Sequence, residues 1–118
     1  MQRWVRNGKP RMVLVLESDS TLCHAVTQVL RRGGIVWACQ DADSATAALG
    51  ELTHLHALVS SGAPDGTPKA AEFTLSVLRE FPGARVVLLS SSRCRASSPH
   101  HVLTMPFRAD DLFATTFG

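Results

Sequence analysis

The residues able to do chemistry gather just past short apolar runs. Glu17-Ser18-Asp19 follows the run 12–16, Ser60-Ser61 follows 56–59, and Ser90-Ser91-Ser92 follows 86–89. A carboxylate among hydroxyls offers oxygen to a hard cation or a hydrogen-bonding guest. A serine hydroxyl becomes a useful nucleophile only beside an activating base, and the sequence shows none near these serines. Arg93 and Arg95, close to His100-His101, make a basic stretch suited to an anion, with Cys94 between the arginines where a thiolate would be favoured. His24, His54, His56, His100 and His101 follow no recognised zinc spacing and read as surface or strand-edge histidines. Glycine-rich cofactor loops, nucleophile elbows and acid–base pairs are absent from the sequence. The expectation is no catalytic residue, no metal and no cofactor.

The elements that must position these groups alternate. The run 12–16, Met-Val-Leu-Val-Leu, is short, aliphatic and not alternating, as suits a strand covered on both faces. Asp19 or Ser20 then caps a helix whose apolar face is Leu22, Ala25, Val26, Val29 and Leu30. Gly33-Gly34 should stop it by taking the left-handed geometry of a helix end. A second strand at 35–38 precedes a helix capped by Asp41 or Asp43, with Ala45, Ala48, Leu49 and Leu52 inward. The strand 56–59 ends at Ser60-Ser61, and 62–66 is a loop. Thr67-Pro68 opens a helix with Ala71, Leu75 and Leu78 as its buried stripe. A strand at 86–89 is followed by a weakly patterned stretch, 93–99, where any helix is short or absent. A brief strand at Val102-Leu103 and a helix from near Ala109, using Leu112 and Phe113, complete the body.

Strand and helix in repeated alternation imply a parallel sheet with helices on both faces, since each parallel strand needs a crossover. In such sheets function collects at the carboxyl ends of the strands, where Glu17, Ser60, Ser61, Ser90 and Met105 fall. The 118 residues suit a single domain, 11–118, behind a flexible or loosely packed leader, 1–10, on which Trp4 and Val5 could pack back. The expectation is that 11–118 is the amino-terminal part of a longer protein. A net charge of +2 with scattered basic residues argues against direct nucleic-acid binding. There is no membrane-length apolar run and no signal peptide. Cys23, Cys39 and Cys94 share no metal-ligand spacing and read as reduced thiols of a cytoplasmic protein.

Taken in order, these markers resemble the receiver domain of bacterial response regulators, from about Met12 to Leu112. They are Val13-Leu14-Val15-Leu16-Glu17-Ser18-Asp19, Gly33-Gly34, the loop 64–66, Val86-Val87-Leu88-Leu89-Ser90-Ser91, and Met105-Pro106-Phe107 before Asp110-Asp111-Leu112. The resemblance implies a doubly wound five-stranded sheet of order 2-1-3-4-5, here with a weakened or missing fourth helix. It places the acidic pair of a working receiver at Glu17 and Ser18. The acceptor aspartate falls on Ser60, with Ser61 as the other alignment, the retained hydroxyl on Ser90 and the lysine on Met105. It also allows a cis Met105-Pro106 bond.

A magnesium site beside phosphate needs carboxylates that Ser18 and Ser60 do not supply, and Met105 carries no positive charge. The resemblance therefore implies a degenerate, phosphorylation-independent signalling domain and not an enzyme. It would act through dimerisation or control of an attached effector, with Met105, Phe107, Leu112 and Phe113 as the interface. The alternative is a small-ligand or cyclic-dinucleotide sensor that uses Ser61, Arg93 and Arg95.

Overall fold

The computed structural model describes residues 5–6, 9–61, 68–90 and 101–118. Two short strands, β1 (Val5–Arg6) and β2 (Lys9–Pro10), pair antiparallel ahead of the main sheet. That sheet comprises β3 (Met12–Leu16), β4 (Ile35–Cys39), β5 (Ala57–Ser60), β6 (Arg85–Ser90) and β7 (His101–Thr104). All neighbours are parallel and the order is β4-β3-β5-β6-β7, the doubly wound 2-1-3-4-5 arrangement. Four helices are described: α1 (Ser20–Leu30), α2 (Ala42–Glu51), α3 (Pro68–Glu80) and α4 (Ala109–Phe117). The weak stretch 93–99, Trp4, the loop 62–66 and the Thr67 cap lie outside the described residues.

β3 sits between β4 and β5, and the pleat sends alternate residues to opposite faces. Val13 and Val15 join Cys23, Val26 and Leu30 of α1 and Leu112 and Phe117 of α4 in one core. Leu14 and Leu16 join Ala45, Ala48 and Leu49 of α2 and Phe73 and Val77 of α3 in the other. Burying each Leu, Val or Phe removes enough apolar surface for roughly 1.5–3 kcal/mol. The two layers therefore dominate the stability.

The caps follow the sequence. The Leu22 amide donates to Asp19 Oδ1 at 2.9 Å, and the Ser44 amide donates to Asp41 Oδ1 at 2.7 Å. The α3 stripe departs from expectation. Leu75 is 57% exposed, whereas Phe73 and Val77 are buried and Leu78 is half-buried. Phe73 and Val77 stand four residues apart, one helical turn, and Phe81 continues their line toward the same core. The aromatic side chain sets the rotation of the helix and turns Leu75 outward.

Gly33 and Gly34 also act differently from expectation, since neither adopts the left-handed conformation. They are required for space. A Cβ on Gly33 would lie 2.6 Å from Phe117 Cε2 and 2.9 Å from Phe113 Cε2, and one on Gly34 would strike the Arg11 carbonyl oxygen. The bend after α1 thus packs Gly33 against α4 and Gly34 against the residue that precedes β3.

At the amino-terminal edge of the sheet, basic side chains from three strand starts hold the end of α4. Arg85 donates from Nη1 to the Thr115 carbonyl at 2.8 Å and from Nη2 to the Gly118 carbonyl at 3.5 Å. His56 Nε2 donates to the Thr116 carbonyl at 3.0 Å, and Arg11 Nη1 to the Phe117 carbonyl at 3.5 Å. The Phe117 ring lies between them, stacked on His56 at 5.6 Å and under the Arg11 guanidinium at 5.7 Å. The last carbonyls of a helix have no partner within it and carry partial negative charge, so basic donors there are favourable. Arg85→Met should lower unfolding stability by about 1–3 kcal/mol, because charge-assisted bonds to half-buried carbonyls are lost. Gly33→Ala should cost about 1–3 kcal/mol through overpacking against the phenylalanine rings. Urea denaturation of the two variants checks both values.

Candidate functional site

Because β3 is buried on both faces, the residue leaving it arrives buried too. Glu17 is only 3% exposed, and its amide donates to the Cys39 carbonyl at 3.0 Å. Its Oε2 accepts from the Asp19 amide at 2.8 Å. Its Oε1 is buried and, among the described residues, has no hydrogen-bond partner. Ser18 is exposed, and Asp19 spends Oδ1 on the first turn of α1. The three residues of this motif therefore deliver a single buried carboxylate.

The neighbouring strand ends bring hydroxyls to the same edge. Ser60 closes β5 in register with Leu16 and is 1% exposed. Ser61 is half-buried, and its amide donates to the Leu16 carbonyl at 3.3 Å. Ser90 closes β6, is 1% exposed, and accepts at its carbonyl from the Met105 amide at 2.7 Å. Met105 is half-buried and joined to Pro106 by a cis bond. β3, β5, β6 and β7 thus bring Glu17, Ser60, Ser90 and Met105 to one carboxyl-terminal edge, in that order.

The buried thiols add no charge to this edge. Burial pushes the Cys23 thiol above its ordinary pKa, and the Glu17 carboxylate adds to the shift. Burial likewise raises Cys39, with Asp41 and Cys23 adding to it. Both stay protonated near neutral pH and are poor metal ligands. Among the described residues no group of three His, Cys, Asp or Glu side chains could hold a metal ion.

Magnesium asks for near-octahedral oxygen ligands, commonly including one or two carboxylates beside a phosphate. Here the one buried carboxylate has one oxygen already engaged, Asp19 spends an oxygen on the α1 cap, and Ser60, Ser90 and Met105 are neutral. The described side chains do not fit that ion.

The remaining sequence-derived positions separate. Leu112 is 1% exposed within the α1 and α4 core, while Phe107 and Phe113 are half-buried against it. Arg93, Cys94, Arg95 and His100 lie outside the described residues. His24 and His101 are exposed. His54 Nε2 donates to the Pro10 carbonyl at 2.8 Å, and His56 holds α4, so both bind backbone. Their spacing carried no hint of this, because the carbonyls they reach are distant in sequence. The depth of Glu17 was signalled by the continuous apolar run before it.

No protein-family model and no curated protein matches the sequence. Solved structures do match the fold. A response regulator receiver protein from Sinorhizobium medicae superposes with a TM-score of 0.77 at 15% identity, covering 90% of each chain. The chemotaxis response regulator CheY4 of Vibrio cholerae gives 0.74 at 18% identity, over 89% of this chain and 94% of that one. A Burkholderia pseudomallei response regulator, solved with a phosphorylated aspartic acid, calcium ion and citrate, gives 0.74 at 16%, covering 90% of this chain and 66% of that one. With its five parallel strands in the order 2-1-3-4-5, the chain has the fold of CheY-like response-regulator receiver domains.

Proposed function

We propose that this chain is a non-catalytic, receiver-like signalling domain of a bacterial cytoplasm, working without phosphorylation and passing its output through a protein surface. That output goes to an attached effector or a second copy, across the face carrying Met105, Phe107 and Phe113. The carrying observation is the strand-end composition: one buried carboxylate, Glu17, beside the buried hydroxyl residues Ser60 and Ser90 and the thioether of Met105.

Aspartyl phosphorylation needs a carboxylate nucleophile, a cation to gather phosphate charge, and donors for the phosphoryl oxygens. A serine at the acceptor position is a weak nucleophile without a base, and a thioether donates nothing. Of the alternative positions, Ser60 is the strand-end residue and Ser61 the next; both are neutral, so the reading holds for either.

A second reading has one observation in its favour. Among the described residues no donor reaches the buried Oε1 of Glu17, so a small ligand carrying an N–H or O–H group would be stabilised there. A cyclic dinucleotide held by Ser61, Arg93 and Arg95 is the anionic version of this sensor. A thermal-shift screen of amines, polyols, nucleotides and cyclic dinucleotides separates them, and a screen without a stabilising compound removes both.

Magnesium with beryllofluoride, titrated into labelled protein, should leave the amide resonances of Glu17, Ser60 and Ser90 in place. A saturable shift at all three overturns the phosphorylation-independent reading. Glu17→Gln retains an acceptor for the Asp19 amide while removing a buried, half-satisfied charge, so urea stability should rise by about 1 kcal/mol or more. A loss of similar size would mean that a partner group needs the carboxylate.

A further inference from the structure

Among the described residues the outer edge of β4 is unpaired, and its residues are unlike those of a protected edge. β4 is the outermost strand of the five and pairs only with β3 among the described strands. The Ile35 amide donates to the Arg11 carbonyl, and the Cys39 carbonyl accepts from the Glu17 amide, so residues 35, 37 and 39 direct their backbone groups toward β3. Those of Val36 and Ala38 therefore face outward. Edge strands are normally blunted by charged side chains, proline or a bulge. This one reads Ile-Val-Trp-Ala-Cys, with Ile35 40% and Trp37 36% exposed.

We infer that β4 is a self-association strand, pairing antiparallel with β4 of a second copy across a two-fold axis at Trp37. In that register Val36 of one copy opposes the partner's Ala38. Each such pair exchanges two backbone hydrogen bonds, and the two tryptophans form the close, non-hydrogen-bonded pair at the centre. Ile35 then lies across from the partner's Cys39 on the same face as Trp37.

Charge selects this orientation. Exposed Arg31 and Arg32 precede the strand, and exposed Asp41 and Asp43 follow it. Antiparallel pairing sets the arginines of one copy beside the aspartates of the other at both ends. Parallel pairing would set like charges together. The contact is isologous, so it closes as a dimer and does not propagate. The surface is distinct from the face carrying Met105, Phe107 and Phe113, and the inference does not rest on the strand-end site.

Sedimentation velocity of the chain across the micromolar range, at low salt, should show a reversible monomer–dimer equilibrium. Trp37→Asp should abolish the dimer while leaving the circular dichroism of the fold unchanged. Arg31→Glu and Asp43→Lys should each weaken association roughly tenfold, since each opposes two symmetric contacts, and the double exchange should restore it. In a Cys94→Ser background, Trp37→Cys should give an interchain disulfide on mild oxidation, because the paired Cα atoms lie within bridging range. A monomer at every concentration overturns the inference, as does failure of the double exchange to restore association. A dimer indifferent to Trp37→Asp but lost in Phe107→Ser also overturns it, and supports the other face without touching the reading of Glu17 and Ser60.

Discussion

The burial of β3 on both faces is the constraint from which the rest of this molecule follows. A strand paired on each side and covered above and below must be apolar throughout its length, and Val13 to Leu16 meet that demand. The first polar residue after it leaves the strand still within the protein, so Glu17 reaches the strand-end edge with little water around it. In such a setting a carboxylate depends on the donors around it, and a receiver-type site supplies cations for that purpose. Among the described residues the supply here is one backbone amide. The neutral residues at Ser60, Ser90 and Met105 ease the burial of that single charge, since additional acids beside it would repel it.

The two edges of the sheet divide the electrostatic labour. Among the described residues the carboxyl-terminal edge carries the acids Glu17, Asp19 and Asp41 and no basic side chain of β3, β4 or β5, whereas the amino-terminal edge presents Arg11, His56 and Arg85 to the terminal carbonyls of α4. That clamp draws on side chains from three adjacent strands, so it fixes α4 against the sheet as a unit. Phe117 fills the space that Gly33 leaves open and connects the clamp to the bend after α1. The position of α4 is thereby tied to the strand starts, away from Glu17 and the serines. Movement of α4 in response to an event at the strand ends would have to break contacts at the far edge of the sheet.

How much of this was legible in the sequence varied with how local the cause was. Strand runs, the Asp19 and Asp41 caps, and most of the α1 stripe depend on neighbours within a few residues and could be read, although Ala25 is exposed and Cys23 is buried. The α3 stripe could not, because two helical lines were available and the choice of Phe73 over Leu75 depends on which fits the second core. The role of Gly33 depended on Phe117, far along the chain. The arginine and histidine clamp depended on which strands lie side by side. The composition of the candidate site was visible as residues, because strand ends follow from the runs, but the orphaned oxygen of Glu17 emerged only once burial was known.

On the proposed reading, in which no phosphoryl group reaches the strand ends, the domain needs another source of free energy if it is to switch. Driving a two-state element nearly completely from one side to the other takes about 5.5 kcal/mol of differential binding, which phosphate and metal contacts can supply elsewhere. Among the described residues here, the strand ends offer one half-satisfied carboxylate and neutral side chains. Association differs in kind, because its contribution grows with the concentration of the partner and requires no change of charge at the core. Regulation by copy number, by proximity through an attached effector, or by a ligand supplying the missing donor to Glu17 would each act without rearranging the clamped helix. On that reading the fold serves as a rigid presenter of surfaces, and its specificity would lie in which of them remains uncovered.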